Sequence, residues 1–191
     1  MNIFYSKKTL DSNLVAPVFD CNARLINKNN NSFFIDENDI LLGFNIQYKN
    51  ANFVEGRLFP TNDIIKYIQE QSGLSFKMLT KGFVVGQIIA AEKIQDTHLT
   101  KCKVDIGSEI LDIICGANNA RQDIKVVVAT NGVLMPSGLL IKPTKLKGYD
   151  SNGMLCSQKE LNLTGFNESG IIELPENYKV GEVLKQMYKN L

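Results

Sequence analysis

The stretch from residue 83 to residue 146 decides the fold: FVVGQIIAAEKI (83–94), KCKVDIG (101–107), EILDIICG (109–116), KVVVAT (125–130) and GLLIKPTKL (138–146). Each run is short and carries β-branched or other apolar residues, and glycine or polar residues separate it from the next, which is the pattern of β-strands between turns. Gly86, Gly107, Gly116, Gly132 and Gly138 punctuate the runs, as a strongly bent sheet requires. Five strands in so short a span predict a small closed barrel. A five-stranded Greek-key barrel of the oligonucleotide-binding (OB) type fits their number and length, as do other small β-barrels that periodicity alone does not separate.

Outward from this stretch the texture changes. Asparagine crowds the earlier part, in NKNNNS (27–32) and YKNANF (48–53), and these runs read as turns between strand candidates at 2–5, 14–19, 32–36 and 40–48. The period then becomes helical over 61–73, where Ile64, Ile65, Tyr67 and Ile68 share a face, Pro60 and Thr61 give a start and Gly73 a stop. Residues 1–72 therefore read as a small α+β domain of unknown role, 73–81 as a linker and 82–163 as the barrel. The tail, 164–191, offers one more strand and a short helix packed on the barrel, so the chain is mainly β.

Composition narrows the function. The chain has 191 residues, 21 Lys and Arg against 20 Asp and Glu, one His and four Cys. Residues 81–191 carry thirteen basic and twelve acidic side chains, so even the barrel segment has no strong field. If it binds nucleic acid, it does so with a local patch and shape matching rather than long-range attraction. Cys21, Cys102, Cys115 and Cys156 are widely spaced and form no CxxC pair, which favours reduced, buried thiols and leaves no metal-ligand set. With neither a signal-peptide pattern nor a run of 18 apolar residues, the expectation is a cytoplasmic protein that does not engage membranes.

Catalytic machinery is not legible. His98, with Asp96 nearby, belongs to a polar turn, and a solvated loop histidine is the simpler reading than a general base. Cys156 and Ser157 in GMLCS form no nucleophile elbow. Asp36 and Glu37 sit in a turn. Neither GxxxxGKS/T nor GxGxxG occurs, so the expectation is no catalytic residue, no metal and no cofactor. Basic residues are better placed. IKPTKLKGYDSNGMLCS (141–157) gathers Lys142, Lys145 and Lys147, and Lys101 and Lys103 share one strand face. Such lysines also suit a solvated strand edge, where they block edge-to-edge pairing. Ser151, Asn152 and the amides of Gly153 and Met154 add donors for sugar or phosphate oxygens, and Met154 adds a flexible apolar contact.

Beyond these patterns the text carries a resemblance. VVGQII, LTKCKVDIG, ILDIICGANNAR, KVVVATNGVLMPSGLLIKPTKLKG and DSNGMLCSQKELNL together resemble the tRNA-binding domain at the N-terminus of the bacterial phenylalanyl-tRNA synthetase beta subunit. The combination CGA.N, MPSG and LKG..S.GMLCS..EL carries it, over about residues 82–163. The opening MN.FY.K and the closing GIIELPENYKVGEVL resemble one subgroup, the free-standing YtpR-type proteins of low-GC Gram-positive bacteria.

That resemblance implies an OB barrel that recognises the outer corner of L-shaped tRNA, with no aminoacylating core. It implies binding roles for Asn118 in the GA.N loop, for Lys142, Lys145 and Lys147 toward phosphates, and for Ser151 and Met154 in S.GM. Three positions depart from the usual pattern: His98 stands where lysine is common, Lys147 where arginine is, and Asn118 where proline is. The partners expected are tRNA and, through the N-terminal domain, a protein. Monomer and homodimer both stay open. The alternative reading is a protein-interaction adaptor built on a barrel that has lost strong tRNA binding.

Overall fold

A period of two runs through the first part of the chain and dictates its architecture. The computed structural model describes residues 3–7, 12–16, 18, 22–48, 56–58, 61–74 and 81–188. Most of the expected linker at 73–81 lies outside these residues, as do Cys21, Pro60, most of YKNANF and parts of the strand candidates at 2–5 and 14–19. The chain divides into two compact units, residues 1–79 and 80–190.

In the first unit, β1 (Ile3–Lys7), β2 (Ser12–Ala16), β3 (Arg24–Lys28), β4 (Asn31–Ile35), β5 (Leu41–Gln47) and β6 (Gly56–Leu58) form an antiparallel sheet in the order β3-β4-β5-β2-β1-β6. Alternate residues Leu14 and Ala16, Phe33 and Ile35, and Phe44 and Ile46 are buried. They pack with Ile64 and Ile68 of the helix α1 (Asn62–Ser72) in one core. Each isoleucine so buried stabilises the unit by about 1.5–3 kcal/mol, offsetting the entropy of ordering the helix. The helix begins where Thr61 Oγ1 accepts the Ile64 N–H at 3.4 Å, and ends at Gly73, whose φ of 69° suits glycine and whose N–H donates to Gln69 O at 2.8 Å. The asparagine run is a turn only at its centre. Asn29 and Asn30, with φ of 50° and 62°, make the two-residue connection of the β3–β4 hairpin.

The second unit is the barrel. β7 (Phe83–Lys93), β8 (Thr100–Asp105) and β9 (Ile110–Cys115) form a meander, and β10 (Lys125–Ala129) returns to pair with β7. The segment 149–155 then closes the ring. Its last residues, β13 (Met154–Leu155), pair with β10, while the Asn152 N–H donates to Asp112 O of β9 at 2.8 Å. Going round, the order is β9, β8, β7, β10, β13 and back to β9, the Greek-key path of an OB barrel. β7 bends by a bulge between Ile88 and Ala90 against β8, and beyond the bend Ile88 bonds to Ile124 and Asp123 instead of β10.

One sequence expectation changes. GLLIKPTKL is not the fifth barrel strand: its Leu140 makes a lone bridge to Leu134, and only β11 (Thr144–Leu146) is extended, in a hairpin with β12 (Tyr149–Ser151). Pro143 has no N–H to donate to a ladder, and it interrupts the run. The closing strand comes ten residues later, with β13.

Both faces of β7 and β10 are covered, which explains their unbroken apolar runs. Val84, Val126 and Val128 face the barrel interior with Val104 and Ile113. Phe83, Val85, Val127 and Ala129 face a second core closed by Met135, Leu161, Ile172 and Leu184. The tail belongs to that cover: β14 (Glu173–Leu174) pairs with β10, and Gly181, Glu182 and Leu184 exchange backbone hydrogen bonds with Val85 and Phe83. The short terminal helix is a single 3-10 turn at Lys185–Tyr188.

Candidate nucleic-acid interface

The chain between β10 and β13 first packs Val133, Met135 and Ile141 into the second core and then forms the β11–β12 hairpin. Its register is Thr144↔Ser151, Lys145↔Asp150 and Leu146↔Tyr149, and its turn is Lys147 and Gly148, with φ of 51° and 87°. Two positive φ values are what a tight hairpin turn demands, and a lysine held there costs about 1 kcal/mol. Alternation sorts the hairpin into two faces. Thr144, Leu146, Tyr149 and Ser151 share one, Lys145 and Asp150 the other.

Ser151 faces the barrel and is buried. Its Oγ accepts the Ile114 N–H at 3.1 Å and so joins the hairpin to β9. Next to this joint lies an open groove of about 480 Å³, lined by residues 114–117, by residues 139–142 and by Leu146, Met154 and Ile171. Lys142 stands exposed at its rim, and Met154 is half-buried within it. Leu139, 55% exposed, and Leu146, 43% exposed, leave its wall apolar and open to solvent.

The six residues singled out from sequence are therefore arranged unequally. Lys142, Ser151 and Met154 line one groove. Lys147 is at the exposed hairpin tip. Lys145 lies on the hairpin's opposite face, its Nζ 2.8 Å from Asp150 Oδ1 in a pair exposed on both sides, which binds the lysine only weakly. Asn118 is exposed in the turn that follows the groove wall at 114–117. The two lysines of β8 are engaged: Lys103 pairs with Asp112 at 3.1 Å, and the Lys101 ammonium lies 5.4 Å from the centre of the Tyr149 ring. His98 is exposed beside this wall, where a β-carbon on Gly116 would come within 3.5 Å of its ring.

Asn119 organises the turn, a role sequence reasoning missed by dwelling on its neighbour. Its Nδ2 donates to Ile171 O at 2.9 Å and Glu173 Oε1 at 3.0 Å, and its Oδ1 accepts the Ile171 N–H at 3.0 Å. Gly170 can carry no side chain because a β-carbon would collide with this amide. Arg121 completes the clamp with two parallel 2.7 Å bonds to the Glu173 carboxylate. The signal lay in GA.N, whose asparagine is residue 119, and in the strand IIEL 52 to 54 residues downstream.

The Arg121 guanidinium holds the Glu173 carboxyl below the usual carboxylate range, against the opposing effect of burial, with Asn119 adding a donor. A depressed folded-state value means that the stabilisation is present above the unfolded-state value and lost as pH falls through the folded one. Glu173→Gln is accordingly expected to be less stable than the wild type at pH 7, with the gap closing progressively below about pH 4.5. Denaturant midpoints of the two proteins at pH 7 and pH 3 check this, and a gap that widens toward pH 3 would contradict it.

Among the described residues the three thiols supply no nucleophile. Burial pushes Cys102 up to about 12, and it also raises Cys115, at the groove wall, and Cys156, in the second core. None is a thiolate at neutral pH.

Comparison with known proteins places this geometry among relatives. Residues 83–183 match the family described as "Putative tRNA binding domain". The match runs past residue 163 through β14, which pairs with β10. The chain is 38% identical over 205 aligned residues to an uncharacterized protein of Mycoplasma genitalium, covering all of this chain and 90% of that one. It is 33% identical to the "Putative tRNA-binding protein YtpR" of Bacillus subtilis, over 97% of this chain and 100% of that one. It is 42% identical to the phenylalanine–tRNA ligase beta subunit of Sulfurimonas denitrificans, over 61% of this chain but only 15% of that subunit.

Proposed function

The chain belongs to the putative tRNA-binding-domain family, in the arrangement it shares over its length with the YtpR protein, and from that premise we propose that it binds tRNA. Recognition is of the outer corner of the L, by shape and backbone contacts, without catalysis on the RNA. The observation that carries this reading is the groove that joins Lys142 and Met154 beside the lysine-tipped hairpin.

Lys142, Lys145 and Lys147 contact phosphates, and Asn118 contacts sugar or phosphate oxygens from the adjoining turn. Met154, with Leu139 and Leu146, offers an apolar wall for a ribose or base face. Ser151 acts from below, fixing the hairpin to β9 through Ile114. The near-balanced charge of residues 81–191 supports a local, shape-dependent mode over indiscriminate attraction to phosphate. Titration of labelled tRNA with the full chain, and with a variant lacking the three lysines, tests the reading. Equal affinity of the two proteins removes this site, and failure of the wild type to bind at low salt removes tRNA as the ligand.

A further inference from the structure

The hairpin face that carries Leu146 and Ser151 also carries Tyr149, a residue that neither the sequence motif nor the groove wall includes. It occupies an open position of LKG..S.GM, so the family resemblance assigns it nothing. Its side chain is 40% exposed, directly opposite Leu146 in the hairpin register and at 43% exposure. The pair places two large, partly exposed side chains side by side next to the groove.

The ring also has a cation against it. Lys101 on β8 holds its ammonium 5.4 Å from the ring centre, within range of the attraction between a cation and the negative face of an aromatic. Ser151, two residues on and on the same face, ties the strand to β9. Tyr149 is thus an exposed aromatic on a short, anchored strand, with the Lys101 ammonium against its ring and Lys147 two residues away in the hairpin turn. An exposed aromatic flanked by lysines fits an unstacked nucleobase, whose π-face stacks on the ring while its phosphates meet the ammonium groups.

We infer that Tyr149 is a stacking platform for one loop base of the bound RNA, with Lys101 as the residue that positions its ring. This rests on the tRNA reading above and adds a contact that does not depend on salt. Stacking on one aromatic changes affinity by about tenfold.

The test uses the full chain and labelled, unfractionated tRNA at two salt concentrations. Tyr149→Trp is expected to bind within about twofold of the wild type, and Tyr149→Leu about tenfold more weakly, both with the wild-type salt slope. Tyr149→Leu keeps the apolar area and removes the π-face, so unchanged affinity in that variant would overturn the stacking role. The wild-type protein, irradiated at 254 nm on tRNA and digested, should carry its nucleotide adduct at Tyr149. Adducts found only elsewhere would likewise overturn it, whether or not the leucine variant folds. A wild type that does not retain tRNA at all refutes the parent reading, whereas a wild type that binds beside an equally tight leucine variant refutes only the platform.

Discussion

Gly86→Ala is expected to destabilise the barrel by about 3 kcal/mol, the upper end of the range for overpacking a core. The cause is steric alone. Gly86 lies mid-way along β7, outside the positive-φ region, so alanine meets no backbone penalty there. A β-carbon at this position would come within 2.6 Å of Val128 Cγ2 and 2.7 Å of Val104 Cγ1. Both valines are fully buried, on the strands flanking β7, and neither can swing into solvent. The strand paths must spread instead, which loosens the ring where β10 and β8 flank the glycine.

A matched control isolates the effect. Gly138 has φ of 86° and a β-carbon added there would meet nothing within 4 Å, so Gly138→Ala meets backbone strain without collision and should cost only about 1 kcal/mol. Thermal unfolding of the three proteins measures both. The Gly86 variant should melt about 10–15 °C below the wild type, and the Gly138 variant within about 5 °C of it. Equal shifts would show that the interior tolerates the methyl group, and the tight packing of Val104 and Val128 against Gly86 would then be wrong.

The second large effect is on affinity. Lys142→Ala/Lys145→Ala/Lys147→Ala is expected to weaken tRNA binding about two-hundredfold at 0.1 M salt, since each lysine–phosphate pair supplies about a factor of six relative to 1 M salt. The slope of log affinity against log salt should flatten by about 2, at roughly 0.7–0.9 per phosphate neutralised. Lys145 enters this sum although it faces Asp150. The pair is exposed at 71% and 64%, so exchanging it for a phosphate costs little. Removing Lys145 also leaves the Asp150 carboxylate unpaired on the hairpin, which repels the RNA backbone. If the three substitutions lower affinity without changing the slope, the lysines act on the fold of the hairpin rather than on phosphates.

The barrel was legible from sequence because its strands are defined by burial. FVVG and VVVA read as strands at first sight, since both their faces meet apolar cores. β3 was not legible: RLINK is exposed at every residue, so no buried face imprints an alternation on it, and the asparagines around it signal only the turn. The closing strand was displaced for a related reason. Hydrophobicity drew the reading to GLLI, while the segment that closes the ring, YDSNGML, is held by a serine hydroxyl and one backbone bond to β9. Polar closures leave little hydrophobic signal.

The site divides in the same way. Residue type drew attention to Lys142 and Met154, which the structure puts in the groove lining, and to Lys147, which it puts at the hairpin tip. It did not separate Ser151, whose hydroxyl turns inward, from a surface donor, nor Lys145 from the face that carries Tyr149. Those distinctions depend on strand register, which a hairpin of three residues a side does not write into its sequence. The Asn119 clamp depends on a partner 52 residues away along the chain, and only the closed fold brings the two together.

Competition binding tests the central claim most directly: the full wild-type chain, labelled tRNA at low salt, and unlabelled tRNA or perfect duplex RNA of equal length as competitor. Shape recognition through a small basic patch predicts binding with a salt slope of about 1.5–3.5 in magnitude, from two to four phosphate contacts, and tRNA competing at least about tenfold better than duplex. Absence of binding at low salt, or equal competition by duplex RNA, would contradict it.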